Sequence, residues 1–127
     1  MRVFIVRHAE AKPGKPDELR PLTEDGRAAA RALGERLRGE PIAAVISSPL
    51  LRARETAEPI ANAAQVEPRA DDRLAPGATV DDLRAVLTGI DGAAVVVGHQ
   101  PDCGEIVLAL TGRSQPFPPA GVAELEL

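Results

Sequence analysis

The chain has 127 residues, a formal net charge of −4, 44% hydrophobic and 27% charged residues. That length suits one domain over 1–127, and an acidic balance with two Phe and no Trp or Tyr argues against a nucleic-acid partner met by a basic face or by base stacking. No apolar run approaches the roughly 20 residues that span a bilayer, and Arg7, His8 and Glu10 interrupt the first apolar segment, so neither a membrane partner nor a secretory leader is expected and the expected location is cytoplasmic.

Arg2-Val3-Phe4-Ile5-Val6 reads as a strand buried on both faces, the kind found in parallel sheets. It stops at Arg7-His8, which places a guanidinium and an imidazole at the carboxyl end of the strand, where open α/β sheets bind ligands. Residues 11–21 carry three prolines and read as a loop over that end. Arg20 is a solvated loop residue unless it turns inward as an extra anion ligand. Thr23 is a good N-cap for a helix with Glu24 and Asp25 in its first turn, an apolar stripe of Ala29, Ala30, Leu33 and Leu37, and an end near Gly39.

Ile42–Ile46 is a second apolar strand. Ser48 as N-cap with Pro49 at the first helical position starts the next helix directly at its end, so Arg52 lies about one turn in and can face the same pocket as Arg7, with Leu51 and Ala57 packed on the sheet. Arg54, about 200° further round, reads as surface. Pro59 should kink or end the helix. A short strand around Val66–Ala70 is followed by a helix with Thr79 and Asp82 as a variant capping box, a buried face of Leu83, Val86 and Leu87, and an end at Gly89.

Ala93–Val97 is the clearest strand and ends at Gly98-His99. Pro101 reads as the first residue of a helix that buries Ile106, Val107 and Leu110, stops at Gly112 and holds the single cysteine, Cys103, in the core; one cysteine is consistent with a reducing compartment. After a proline-rich loop, Val122–Leu127 alternates like an edge strand with one solvated face.

Both histidines of the chain thus stand within two residues of the end of a buried strand. Parallel strands would bring His8, His99, Arg7 and Arg52 to one edge of a sheet. Arginines bind phosphate through charge-assisted hydrogen bonds, and a histidine among cations is held toward its neutral, nucleophilic form. This chemistry suits phosphoryl transfer to histidine.

Arg7-His8-Ala9-Glu10 resembles the Arg-His-Gly signature of the histidine phosphatase superfamily, which includes the phosphoglycerate mutases. Ser48-Pro49-Leu50-Leu51-Arg52-Ala53 is similar to its second arginine motif and Gly98-His99 to its second histidine motif; small size and Arg20-Pro21-Leu22-Thr23 are most similar to the SixA-type phosphohistidine phosphatases. The resemblance implies a mixed, mostly parallel α/β sheet with an antiparallel edge strand and helices on both faces. It also implies that His8 is the phosphorylated nucleophile, that Arg7 and Arg52 clamp the phosphoryl oxygens, and that His99 donates a further hydrogen bond; Arg20 is a further candidate substrate ligand from its place in the loop alone. No cofactor and no metal are implied. The expected activity is hydrolysis of phosphohistidine on proteins, with a phosphatase or mutase of small phosphorylated metabolites as the alternative; oligomeric state is marked by no motif.

Two departures bear on this reading. Ala9 stands where the family has glycine, which would matter if the position needed positive φ or very close phosphate approach. Arg73-Leu74-Ala75-Pro76 offers a proline where many relatives place a glutamate acid, leaving Asp71, Asp72, Asp81 and Asp82 as candidate acids, each otherwise a turn or cap residue. A metal site on His8, His99 and Glu10 is disfavoured by the flanking arginines. A thiol phosphatase would need a phosphate-binding loop after Cys103, and a P-loop is missing from the sequence. The non-enzyme alternative is a phosphoprotein-binding module using the same arginines.

Overall fold

Val3 and Ile5 project to one side of the first strand and Phe4 and Val6 to the other, and all four are buried. That double burial is why the run is uniformly apolar rather than alternating. A computed structural model describes residues 1–127. Its elements in chain order are β1 (Arg2–Arg7), α1 (Glu24–Leu37), β2 (Ile42–Ser47), α2 (Leu51–Ala64), β3 (Pro68–Ala70), α3 (Val80–Leu87), β4 (Ala93–Gly98), α4 (Asp102–Thr111) and β5 (Val122–Glu126).

The five strands form one sheet in the order β3-β2-β4-β1-β5. All pair in parallel except β5, which runs antiparallel to β1 at the edge. β4 is therefore the middle strand. The α/β architecture expected from the sequence is the one observed. Helices α1 and α2 cover one face, where Leu33, Leu37, Ala57 and Ile60 meet Phe4, Val6, Val45 and Val95. The other face carries α3 and α4, whose Leu83, Val86, Ile106 and Val107 meet Val3, Ile5, Ile46 and Val96. Each fully buried aliphatic side chain contributes roughly 1.5–3 kcal/mol of apolar transfer, so these two layers hold the strand ends rigidly. No helix is long and apolar enough to cross a membrane.

Two helix features place α1. Thr23 caps it, accepting from the Gly26 amide at 2.9 Å. Gly26 has no room for a side chain, because a Cβ there would collide with the Glu10 carbonyl, so α1 packs directly against the loop that leaves His8. The capping box of Thr79 and Asp82 and the buried Leu83, Val86 and Leu87 of α3 are as expected.

Several expectations need correction. Ser48 is not an N-cap: α2 begins at Leu51, with Leu50 as its cap in extended conformation and without a side-chain cap bond. The Ser48 hydroxyl is drawn instead to His99, leaving Pro49 and Leu50 outside the helix. Leu51 is only half-buried, and Ala53, Ala57, Ile60 and Ala61 are the α2 residues packed on the sheet. Pro59 neither ends nor interrupts α2, which continues to Ala64; the Pro59 carbonyl lies against Gly34 of α1, where a Cβ would stand 2.7 Å from it. Pro101 precedes α4 rather than opening it, a one-residue difference at a helix end.

Candidate active site

Strand register builds the site. Arg7 pairs with Gly98 and Ser47 with Val97, so His8, His99 and Ser48 leave three adjacent parallel strands at nearly one level. Two hydrogen bonds extend the ladder past the strands: His8 N donates to the Gly98 carbonyl at 3.0 Å and Ser48 N to the Val97 carbonyl at 2.9 Å. The His8 and His99 rings lie 5.2 Å apart between centroids, tilted by 58°.

His8 Nδ1 is 2.7 Å from the carbonyl oxygen of its neighbour Ala9. A carbonyl can only accept, so Nδ1 carries the proton and Nε2 keeps its lone pair in the neutral ring. Burial lowers the His8 pKa, and the positive charges of Arg52, Arg7 and Arg20 lower it further, against the Ala9 hydrogen bond that raises it. Neutral imidazole is therefore the favoured form at neutral pH. His99 is almost completely buried and is pushed down to about 4, first by burial and then by the charges of His8 and Arg52. Its Nε2 is 2.7 Å from Ser48 Oγ.

Ala9 answers the question raised by the missing glycine. Its φ is not positive, and its methyl is fully buried with Leu22 and Ala30, where it serves as core. The Ala9 amide donates to Thr56 Oγ1 at 2.9 Å, and Thr56 Oγ1 donates to the Arg52 carbonyl at 2.8 Å. Thr56 thus ties the loop after His8 to the turn of α2 that carries Arg52.

The two guanidiniums are held differently. Arg7 donates from Nη1 to the Phe117 carbonyl at 2.9 Å, and its backbone amide donates to the Gly121 carbonyl at 3.0 Å. Its Nε is buried without an acceptor, an unusual state for a guanidinium N–H, and its Nη2 makes no bond to the protein. The loop holding Arg7 includes Ala120 in the left-handed region at φ 64°, whose amide donates to the His8 carbonyl at 3.2 Å; a non-glycine residue held there marks a backbone fixed by its surroundings. Arg52, 7% exposed, donates from Nη1 to the Asp17 carbonyl at 2.9 Å and from Nη2 to Asp17 Oδ2 at 3.1 Å. Arg20 joins the same carboxylate, Nη1 to Oδ1 at 2.9 Å, and anchors itself through Nε to the Lys12 carbonyl at 2.7 Å. The hydrogen bonds from Arg20 and then from Arg52 hold the Asp17 carboxyl below the usual carboxylate range.

All four sequence-derived residues, Arg7, His8, Arg52 and His99, are thus brought to one edge, and Arg20 is linked to Arg52 through the Asp17 carboxylate that both bind. Asp17, Thr56 and Phe117 are neighbours that sequence reasoning missed, and Ser48, which reads from the sequence as a helix cap, is a partner of His99 instead. Asp17 left one trace, a carboxylate three residues before Arg20.

The four aspartates weighed as acids lie elsewhere. Asp71 caps the 3₁₀ turn at Asp72–Leu74 and is gripped by Arg73 at 2.8 and 3.0 Å, which pulls its carboxyl down to about 2. Asp82 caps Thr79, and Asp72 and Asp81 sit in first turns of their helical segments. Glu10 binds Thr23 Oγ1 at 2.8 Å, which draws its carboxylate to the start of α1 rather than into a ligand set with His8 and His99. Cys103 is buried, its thiol pushed up to about 12 by burial.

An unprotonated imidazole nitrogen beside two guanidiniums, with a second neutral imidazole 5.2 Å from the first, suits a tetrahedral oxyanion and attack on it by nitrogen. Residues 3–76 match the sequence pattern of the histidine phosphatase superfamily (branch 1). The chain is 31% identical to the phosphohistidine phosphatase SixA of Escherichia coli, over its full length and 86% of that protein. A solved structure of the protein histidine phosphatase SixA complexed with tungstate superposes with a TM-score of 0.88 at 30% identity, over the whole of this chain and 88% of the other. A putative phosphohistidine phosphatase SixA from Agrobacterium tumefaciens follows at a TM-score of 0.79 and 26% identity, covering 98% of this chain and 90% of that one. A pattern that takes in β1, His8, Arg52 and the start of the second half, with relatives alike over nearly their whole length, makes this chain a member of the histidine phosphatase superfamily, branch 1.

Proposed function

We propose that the protein is a phosphohistidine phosphatase acting on phosphorylated proteins through a covalent intermediate on His8. The observation that carries this reading is the Nδ1 hydrogen bond of His8 to the Ala9 carbonyl, which leaves the Nε2 lone pair free. In the first step Nε2 of His8 forms a bond to phosphorus while the P–N bond of the substrate breaks; the leaving imidazole takes a proton from solvent and departs neutral. In the second step water adds to phosphorus, the P–Nε2 bond breaks, and inorganic phosphate leaves with His8 restored. Arg7 and Arg52 neutralise the phosphoryl oxygens, and neutral His99 supplies a hydrogen bond without adding a charge that would itself need stabilisation. Arg20 supports the clamp from its edge by controlling Asp17.

The choice of phosphohistidine over a sugar phosphate rests on the leaving group. An alkoxide needs a positioned acid, typically worth about 10²- to 10⁴-fold, whereas an imidazole with a pKa near 6.5 needs little help. Asp71, Asp72, Asp81 and Asp82 make no hydrogen bond to His8, His99, Arg7 or Arg52, and Asp17 is held ionised. The names of two relatives alike over the whole of this chain, the Escherichia coli protein at 31% identity and the tungstate complex at 30%, point the same way.

Brief reaction with a phosphohistidine-bearing protein, an alkaline quench and mass spectrometry should find the phosphoryl group on His8, with steady release of inorganic phosphate. Phosphate on His99 alone would overturn the roles given to the two histidines. Faster turnover of sugar phosphates than of phosphohistidine would move the substrate to small metabolites, and tight phosphoprotein binding with no phosphate release would leave a binding module.

A further inference from the structure

Ser48 and His99 form a buried pair, fully and almost fully excluded from solvent, with Oγ 2.7 Å from Nε2. Two arrangements of protons are consistent with that distance. Either Nε2–H donates to the serine oxygen, or the serine O–H donates to an Nε2 lone pair. The remaining contacts of Ser48 decide between them. Its oxygen already accepts from the Leu50 amide at 3.2 Å, and the hydroxyl has no other acceptor than His99 Nε2. Were Nε2 protonated, the serine proton would be a buried donor with nothing to bind, a state that folded proteins avoid. Burial keeps the His99 ring neutral at pH 7, so one ring nitrogen carries a proton and the other does not.

We infer that Ser48 is a positioning residue that fixes His99 in the tautomer with its proton on Nδ1, so that the neutral ring offers the phosphoryl group an N–H donor instead of a lone pair. Nδ1 has no acceptor in the protein, which leaves this donor free on a ring 5.2 Å from the proposed nucleophile. The opposite tautomer would set a lone pair against phosphate oxygens and repel them. The catalytic consequence rests on the function proposed above; the tautomer itself does not.

The role also accounts for a local departure from helix chemistry. Ser48-Pro49 has the composition of a helix start, yet α2 begins three residues after Ser48. The hydroxyl that would cap the helix serves His99, and Pro49 and Leu50 stay outside the helix.

Long-range ¹H–¹⁵N correlation spectra of the substrate-free protein at pH 7 read the tautomer directly. We expect a protonated Nδ1 and an unprotonated Nε2 for His99 in the wild type, relaxation toward the Nε2-protonated form in S48A, and recovery in S48T, which keeps the hydroxyl. Turnover of phosphohistidine protein by S48A should fall by about 10²-fold in kcat, in line with the loss of one preorganised donor, and return in S48T. A wild-type His99 protonated on Nε2 would refute the assignment without any variant, as would an S48A ring that stays protonated on Nδ1. A correct tautomer in a protein that does not turn over phosphohistidine would instead count against the proposed function alone.

Discussion

Asp17 and Arg52 are bound to each other twice: the guanidinium donates from Nη1 to the Asp17 carbonyl at 2.9 Å and from Nη2 to its carboxylate at 3.1 Å. An internal anion therefore occupies donors that a phosphoryl group would need. Asp17 is 61% exposed at its side chain, so its hold on Arg52 is screened by water and can be exchanged for a dianion. Asp17→Asn should tighten binding of inorganic phosphate or tungstate by a few fold, because the competitor loses its charge. Calorimetric titration of both forms would check this. Weaker oxyanion binding by the variant would show that Asp17 holds Arg52 ready for the substrate rather than competing with it.

Arg52→Ala should lower kcat/KM by about 10²-fold, corresponding to 2 to 3 kcal/mol, the usual loss for one preorganised charge-stabilising donor. Far-UV circular dichroism should remain that of the wild type if the loss is one of catalysis. Because arginines supply the positive charge that metal ions supply in other phosphoryl-transfer sites, EDTA should leave turnover unchanged. Inactivation by chelator, reversed by a divalent cation, would contradict this division of labour.

The histidines set a pH dependence with a definite sign. Both are held below the ordinary imidazole value of 6.5, so each gains a proton more readily unfolded than folded. The unfolded chain then binds more protons across the interval below 6.5, and stability must fall as pH falls. For His99, lowered to about 4, the contribution is fully present above 6.5 and lost toward pH 4; at about 1.4 kcal/mol per pH unit it is of order 3 kcal/mol. Urea midpoints at pH 7 and pH 5 should show the drop, and His99→Gln should flatten it. The acid limb of kcat/KM should lie below 6.5, since His8 must be neutral to attack. A limb above 6.5 would place the controlling proton elsewhere.

Leaving-group dependence tests the missing acid. Phosphoramidates and aryl or acyl phosphates should be cleaved well and alkyl phosphates poorly, so log(kcat/KM) should fall steeply with leaving-group pKa. A flat dependence, or alkyl phosphate cleavage lost on mutating Asp17, Asp71 or Asp82, would reveal an acid and favour the metabolite reading.

Much of this protein was legible from its residues because the signals are local. The apolar runs of β1 and β4, the alternation of β5, and the caps at Thr23 and Thr79 each report on a few neighbouring residues, and burial follows hydrophobic period directly. His8 and His99 were legible as a pair for the same reason: each follows a strand that can be recognised alone.

Ser48 shows where local reading stops. By propensity it is an N-cap, but a buried imidazole 51 residues away is a stronger claimant on its hydroxyl than an amide that water can satisfy. Asp17 shows the same limit from the loop side, since nothing near it predicts a partner 35 residues on. By itself, then, the sequence determined which segments are strands and helices, which faces they bury, and that two histidines and two arginines stand near strand ends. The tertiary structure alone decided that β4 lies in the middle, that register sets His8, His99 and Ser48 at one level, and that Asp17 sits on Arg52. Those facts arise from pairing between distant segments, whose register is fixed only when both faces of the sheet are packed.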